Sequence, residues 1–211
     1  MLKPSRKLRP PLQDRSRRTV DRLLEALEAL LQEREAVDIT VDDITERAHV
    51  SVGAFYKRFS SKQDLLPLLL SRLQESSRVY LQETLQAEQW KGRGLADRID
   101  ALIELIANAQ IRERRILAAF IAGRFSSTLQ MTGEDVAAAR DNMRLMGDWL
   151  LACRDEIRHD SPEMAVRIGL YLCLQSLQTA LLFESLPPPI TPEQIVSEAK
   201  RMLRRYLTGS P

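Results

Sequence analysis

The chain has little of the chemistry that catalysis, metal binding or disulfide bonding requires. Its 211 residues include only two cysteines and two histidines. Cys153 and Cys173 fall in separate helical segments, with no histidine at metal-ligand spacing, so we expect free buried thiols and no metal or other cofactor. Neither His49 nor His159 belongs to a set of nucleophile, acid and base. The sequence therefore argues against an enzyme.

Long apolar runs and alternating strand patterns are also missing. The most apolar stretch, Met164–Phe183, is interrupted by polar and charged side chains, which makes it a poor membrane span. Residues 1–11 are basic and lack the apolar core of a secretory signal. Hydrophobic residues make up 44% of the chain and aromatic residues 5%, a globular composition. We therefore expect an all-α protein located in the cytoplasm.

Positive charge is concentrated at the start of the chain, although the net charge is only +2. Residues 1–18 contain seven lysines and arginines against a single aspartate. Prolines disfavour a helix over residues 1–14, which we predict to be a flexible basic arm. Its charges could follow phosphates or enter a minor groove, and the alternative is a solvated tail. Arg17 and Arg18 begin a first helix, about Arg15–Glu33, and are stronger candidates for phosphate contacts.

Two short helices joined by a tight turn are predicted between residues 40 and 59. Thr40 can cap the first, at about residues 41–48, whose early aspartates suit the positive end of the helix dipole. Ser51 can cap the second, at about residues 52–59, where apolar residues recur at spacings of three and four. The predicted inward face consists of Ile44, Ala48, Val50, Phe55 and Phe59.

The second of these helices keeps an outward face of the kind that reads DNA. Its predicted outward residues are Ser51, Val52, Gly53, Ala54, Tyr56, Lys57 and Arg58. Ser61 and Asp64 offer a capping box for a third helix, about residues 61–86, with Lys62 beside a helix start that would suit a phosphate. The order of caps, turn and exposed face predicts a helix-turn-helix for DNA. The alternative is an ordinary three-helix packing unit.

The same segment resembles the TetR family of bacterial transcription regulators. The resemblance rests on Ile44-Thr-Glu-Arg-Ala48, Val50-Ser51, Gly53-Ala-Phe-Tyr56 and Phe59-Ser-Ser-Lys62, followed by Leu65-Leu66. His49 departs from the glycine usual in the family's turn, yet histidine is among the few other residues that tolerate a positive φ. The resemblance implies a DNA-binding domain over residues 15–66 and a ligand-binding and dimerisation domain over residues 67–211.

The predicted DNA contacts are of two kinds, contacts to the edges of bases and contacts to the DNA backbone. Val52 and Ala54 can meet thymine methyl groups, and Gly53 permits a close approach. Lys57, together with the arm, is the candidate for polar base contacts. Phosphate and positioning contacts are assigned to the remaining candidates, which are Arg17, Arg18, Thr40, Ser51, Tyr56 and Lys62.

The rest of the chain is predicted to be helical, with helices at about residues 95–109, 112–125 and 134–158 and two more beyond Pro162. The first of those two is apolar on two faces, so it has two partners. One face would close the ligand domain and the other would pack on a second chain in a two-fold four-helix interface. The alternative is a helix buried within a monomer. The predicted interface residues are Leu170, Leu174, Leu177, Leu181, Ile195, Met202 and Leu203.

The resemblance also implies a pocket for a small-molecule effector inside this domain. Its apolar composition suits a lipophilic molecule with one polar or anionic end. The candidate lining residues, each of which is alternatively plain core, are Tyr80, Phe120, Phe125, Trp149, Tyr171 and Gln175.

The implied function is a repressor that binds DNA as a homodimer and is released by that effector. Two reading heads about one helical turn apart, ~34–36 Å, would recognise a palindromic operator in successive major grooves. Ligand binding would shift their separation. The alternative is a helical module that binds small molecules or proteins and carries a degenerate DNA-binding head.

Overall fold

The computed structural model describes residues 12–86, 88–125, 133–182 and 189–209, and no β-strand occurs in these ranges. The prediction of an all-α protein is confirmed. The helices are α1 Leu12–Glu33, α2 Val41–Arg47, α3 Val52–Tyr56, α4 Leu65–Leu85, α5 Leu95–Arg112, α6 Arg114–Phe125, α7 Gly133–Leu151, α8 Pro162–Leu182 and α9 Pro192–Thr208.

The chain divides into two compact units, Met1–Leu69 and Leu70–Pro211, called here the head and the body. Helix α4 begins in the head and continues in the body. Pro67 lies in its first turn, where a backbone N–H would have no intrahelical partner, so the proline costs little. The assignment of DNA binding to the one unit and of ligand binding and dimerisation to the other stays a prediction.

Several helix boundaries differ from the predicted ones. Helix α1 begins three residues earlier than expected, at Leu12, and α3 ends at Tyr56 instead of residue 59. Helix α3 stops early because the backbone N–H of Arg58 turns to the carbonyl oxygen of Phe55, a tightened final turn, at 2.8 Å. Helix α7 ends at Leu151, well before residue 158, because a short 3₁₀ turn follows it.

The head is built around the leucines of α1 and the short helices α2 and α3. Ile44 and Phe55 are fully buried and Ala48 is buried, as the predicted inward face requires. Val50 and Phe59, the other two members of that face, are half-buried. The inward side chains therefore anchor both short helices in the head, with α2 packed on α1 and α3 packed on α2, and leave the opposite side of α3 to solvent.

Helix α8 is the central element of the body and packs against α5, α6, α7 and α9. By length and composition it could cross a membrane, but half of its most apolar window is buried inside the body. A core helix of a globular domain has the same composition, and its burial accounts for the apolar sequence without a bilayer.

The α8 stripe that was predicted to meet a second chain faces the interior of the body instead. Four of the predicted interface residues are at most 5% exposed, namely Leu170, Leu177, Leu181 and Leu203. Leu174 and Ile195 are partly buried against the same core, and only Met202 is well exposed. Because these four leucines are enclosed by their own chain, their burial does not support an interface with a second chain, and that assignment stays a prediction.

The second apolar face of α8 is the one that remains exposed. Together with exposed residues of α9 it forms the α8/α9 face, defined as Met164, Ile168, Tyr171, Leu172, Met202 and Tyr206. Gly169 lies behind this face, where α8 and α9 approach closely. A Cβ placed on Gly169 would lie 2.6 Å from Cδ1 of Leu203, so the absence of a side chain sets the spacing of the two helices.

The start of α5 is capped from a distant part of the body. Its N-cap residue, Gly94, has no side chain to accept a hydrogen bond. The Glu156 carboxylate supplies the acceptor, and the backbone N–H of Leu95 donates to Glu156 Oε2 at 3.0 Å. Because an anion also suits the positive end of the helix dipole, Glu156 replaces a local cap.

Candidate nucleic-acid interface

Helix α2 begins with a reciprocal capping box between Thr40 and Asp43. The Thr40 hydroxyl accepts the Asp43 N–H at 3.1 Å, while the Asp43 carboxylate accepts both the N–H and the hydroxyl of Thr40 at 2.7 Å. These bonds, with Arg34 at 3.2 Å from the other carboxylate oxygen, lower the pKa of Asp43 from 3.8 to about 2. Thr40 is exposed, but its polar groups already have partners within the chain.

The turn between α2 and α3 closes with His49 in the left-handed region. Its φ is 51°, the only positive φ of a non-glycine residue that the structure describes. The His49 N–H donates to Glu46 O at 3.0 Å and the Val50 N–H donates to Thr45 O at 2.9 Å. These are the two bonds of a Schellman motif, in which the left-handed residue is usually glycine. His49 therefore occupies the glycine position and keeps the turn geometry.

Helix α3 presents the side chains that were predicted to read DNA. Ser51 caps it, because its hydroxyl accepts the Ala54 N–H at 3.2 Å. Val52, Gly53, Tyr56 and Lys57 are exposed, and Ala54 is half-buried. A Cβ added to Gly53 would meet nothing within 4 Å, which leaves the tip of the helix open to close approach. The outward set predicted from sequence is thus brought together on one surface.

Arg17 and Arg18 are exposed on α1 of the same unit. The predicted arm, residues 1–14, falls almost wholly outside the described residues, since only the backbone from Leu12 onward is described. The two arginines therefore carry the described part of the positive charge that was predicted at the start of the chain.

Lys62, the predicted phosphate contact, has hydrogen-bond partners within the chain, and its contact with DNA stays a prediction. Its ammonium donates to three backbone carbonyls in the connection between α1 and α2: Ala36 O at 2.7 Å, Val37 O at 3.4 Å and Ile39 O. An ammonium has three donors, so these carbonyls can use all of them. The Lys62 side chain thus ties the turn before α4 to the connection between α1 and α2.

Arg58 holds the end of α3 and was not among the predicted site residues. One guanidinium nitrogen donates to Ala54 O at 3.0 Å, and two others lie 3.4 Å from the Ser16 hydroxyl on α1. Sequence reasoning placed Arg58 only on the outward face. A pairing across 42 positions leaves no periodic signal in the sequence, so the contact with Ser16 could not have been anticipated.

The predicted ligand-lining residues do not form one pocket among the described residues. Tyr80, Tyr171 and Gln175 are exposed, whereas Phe120 is buried. Phe125 is the last residue of α6, and its side chain lies outside what the structure describes. The two tyrosines and the glutamine are exposed rather than enclosed, and their role in ligand binding stays a prediction.

Trp149 belongs to a packed cluster that joins α5, α7 and the turn before α5. Its ring lies edge-on to Trp90, with centroids 5.0 Å apart, and the Arg98 guanidinium stands 5.0 Å from the Trp149 centroid. Arg98 also donates to the Trp149 carbonyl at 2.8 Å, and the Trp90 indole N–H donates to Thr84 O at 2.7 Å. These contacts give Trp149 a structural role.

Two clefts on the described part of the body have charged side chains in their lining. One, of about 400 Å³, lies on α5 and α9 and is lined by Gln89, Trp90, Arg93, Asp97, Asp100, Ala101, Glu104 and Lys200. Lys200 bridges it through an ion pair with Glu104 at 3.0 Å. This lining does not match the lipophilic molecule expected from composition.

The described residues contain no cluster of three or more histidine, cysteine or acidic side chains that could hold a metal ion. Both thiols are free, and burial raises the pKa of Cys153 and raises that of Cys173 to about 11. Both sulfurs are therefore protonated at neutral pH, and thiolate chemistry is disfavoured.

Comparison with known proteins agrees with the geometry of the head. Residues 23–68 match the family model described as bacterial regulatory proteins, tetR family. No curated protein sequence matches the chain.

Solved structures match nearly the whole chain. A TetR transcriptional regulator from Rhodococcus sp. RHA1 is 20% identical with a TM-score of 0.57, covering 93% of this chain and 100% of that one. FadR from Thermus thermophilus, a TetR-family repressor in complex with lauroyl-CoA, is 22% identical with a TM-score of 0.57, covering 87% and 92%. A TetR regulator from Haloarcula marismortui is 14% identical with a TM-score of 0.63, covering 90% and 97%.

At these sequence identities the solved structures establish only the fold. The family model matches residues 23–68, which contain the helix-turn-helix formed by α2 and α3. This segment therefore matches the family of tetR bacterial regulatory proteins, and the chain as a whole has the fold of the solved TetR regulators.

Proposed function

We propose that the protein is a cytoplasmic, non-catalytic repressor that binds a palindromic operator as a homodimer and is released by a small lipophilic ligand. The observation that carries DNA reading is the outward face of α3, which remains exposed while Phe55 anchors the opposite side in the head. Occlusion of a promoter requires no further domain, since a tightly bound dimer is itself the obstacle.

The reading surface favours apolar contact with bases over bidentate hydrogen bonding. Val52 and Ala54 are the side chains available to thymine methyl groups, with Gly53 between them. Lys57 is the exposed cation at the end of the helix, and Arg17 and Arg18 supply further charge for phosphates. Tyr56 and Ser51 complete the proposed contacts.

Selection of bound sequences from a random duplex pool tests sequence-specific reading directly. An inverted repeat should be enriched at near-physiological salt, with the half-sites about one helical turn apart. Replacing half-site thymines with uracil should weaken binding by removing the methyl groups that Val52 and Ala54 meet. Weak, salt-sensitive binding without enrichment would instead favour the alternative of a helical interaction module with a degenerate head.

The α8/α9 face is the proposed dimer interface. It is contiguous with the body core through Gly169 and offers six large apolar side chains to a second copy. Exposed apolar surface of this extent in a soluble chain marks an interaction site. A charge in its centre, Ile168→Glu, should produce a monomer in sedimentation equilibrium. Ala96→Glu, on the exposed side of α5, is the matched control and should leave the association state unchanged.

The proposed effector is a lipophilic molecule with an anionic end. FadR from Thermus thermophilus was solved with lauroyl-CoA, an acyl chain joined to an anionic group, which is the kind of lipophilic molecule with an anionic end that the composition of the body predicts. Titration of the protein–operator complex with medium-chain acyl-CoA is the test. Release of DNA by acyl-CoA but not by free CoA would support a lipophilic effector, and identical behaviour of the two would contradict it.

A further inference from the structure

The recognition helix α3 is too short to hold its own direction. It has five residues, Val52–Tyr56, and isolated helices of this length are not stable in water. Ser51 caps its start and Phe55 anchors one side, but neither residue fixes the carboxyl-terminal end. The orientation of the outward face therefore depends on whatever holds that end.

Arg58 supplies this hold through the last turn of the helix. Its backbone N–H donates to Phe55 O, so it cannot also serve Ala54 O in a regular helical bond. The guanidinium of the same residue donates to Ala54 O at 3.0 Å instead. A carbonyl at the end of α3 is thereby satisfied by the side chain of the residue that ended the helix.

The other edge of the guanidinium reaches α1. Nε and Nη2 both lie 3.4 Å from the Ser16 hydroxyl oxygen, so the two donors share one acceptor through long hydrogen bonds. The planar guanidinium has five donors in a fixed arrangement, so a single rigid group can join Ala54 and Ser16 at once. A lysine carries the same charge but has a single donor centre and cannot span both acceptors in this geometry.

We propose that Arg58, through Ser16, is a positioning residue that sets the orientation of α3 on α1 and thereby the preference of the protein for its operator. The inference rests on the proposed DNA-binding function and adds to it a residue that acts by orienting α3 rather than by touching DNA. Arg58 is exposed, so the rival role is a simple phosphate contact. The two roles predict different effects of the Arg58 and Ser16 variants on the salt dependence of DNA affinity.

A phosphate contact and a positioning contact leave different signatures in salt titrations. Each lost phosphate contact reduces the slope of log K against log salt by about 0.9. Loss of a positioning contact weakens operator binding and leaves that slope unchanged. Ser16→Ala separates the two roles, because it removes the hydroxyl acceptor and leaves the arginine charge in place.

The experiment measures the affinity of the full-length protein for its selected operator and for a scrambled duplex across a salt series. Ser16→Ala should lower operator affinity about fivefold, with an unchanged salt slope, an unchanged affinity for the scrambled duplex and an unchanged melting temperature. Arg58→Lys should lose at least as much as Ser16→Ala, although its charge is kept. Ser76→Ala, an exposed serine on α4, is the matched control and should behave as the wild type.

The double variant Ser16→Ala/Arg58→Lys completes the test. If the two residues act through a single contact, the double variant should lose no more operator affinity than Arg58→Lys alone. The proposal would be overturned if Ser16→Ala kept the operator affinity of the wild type while Arg58→Gln showed a reduced salt slope. Arg58 would then be a phosphate contact. Failure of the wild-type protein to prefer any duplex would instead contradict the proposed function.

Discussion

The head and the body are both helical, but the short helices of the head and helix α5 of the body begin for different reasons. In the head the capping partners are three residues apart, as in Thr40 with Asp43 and Ser51 with Ala54. In the body, Leu95 is capped by Glu156 from 61 positions away, and Gly169 meets Leu203 from the next helix. Local partners therefore specify the starts of α2 and α3, whereas the start of α5 and the spacing of α8 and α9 depend on residues far apart in the sequence, although α9 begins with a local capping box between Thr191 and Gln194.

The largest expected effect separates two neighbouring residues of α9. Leu203 is buried in the body core, so Leu203→Ala should destabilise the protein by about 2–5 kcal/mol. Met202 is exposed, so Met202→Ala should change the stability of a single chain by less than about 0.5 kcal/mol. Denaturant unfolding over a series of protein concentrations measures both variants and separates folding from association. Equal losses would contradict the division between core and outer face.

A second pair of variants tests how tightly α8 and α9 are packed. Gly169→Ala places a methyl group 2.6 Å from Leu203 Cδ1, and because Leu203 is buried we expect a loss of about 1–3 kcal/mol. Gly147→Ala on α7 is the control, since its nearest neighbour, Val166 Cγ1, would be 3.7 Å away. The control should be neutral or stabilising by up to ~1 kcal/mol, because alanine favours the helix. Thermal unfolding compares them, and a stable Gly169→Ala would argue against close approach there.

The turn of the head offers a purely local test. His49→Val should cost about 1–2 kcal/mol, because a β-branched residue is strained in the left-handed region that His49 occupies. His49→Gly should be close to neutral, since relief of strain is offset by the extra freedom of glycine in the unfolded chain. Unfolding of both variants by circular dichroism is the measurement. A tolerated valine would mean that the turn does not need a positive φ.

The smallest effect is the acid sensitivity of the α2 cap. The pKa of Asp43 is lower in the folded head than its usual 3.8, so the carboxylate stabilises the fold above about pH 4. This contribution is lost as pH falls through about 2. Carbon NMR titration of the Asp43 carboxyl should give a pKa near 2 in the wild type and a higher value in Thr40→Val. A wild-type pKa near 3.8 would exclude the capping bonds in solution.

What could be predicted from sequence follows the same division. The caps at Thr40 and Ser51, the positive φ of His49 and the inward side of α3 were all foreseen, because each depends on residues within one or two turns. The two apolar faces of α8 were also foreseen, but Leu170 and Leu177, which were assigned to a second chain, lie in the core of their own body. A helical period reveals that a face is apolar and contains no information about which neighbour covers it.

The same limit applies to single polar residues. Lys62 was correctly placed beside a helix start, yet its ammonium binds carbonyls 23 to 26 residues earlier in the chain. Arg58 was placed on the outward face without its link to Ser16. Long flexible side chains choose among several acceptors, and that choice depends on which backbone segments the fold brings within reach.

The remote cap on α5 has a consequence for the order in which the body folds. Closing a loop of about sixty residues costs entropy that a local cap avoids. The amide of Leu95 therefore has no acceptor within the protein until the segment that follows α7 has docked. In hydrogen exchange the Leu95 amide should become protected late in refolding, and in the native state it should exchange through opening of the whole body rather than by fraying of α5.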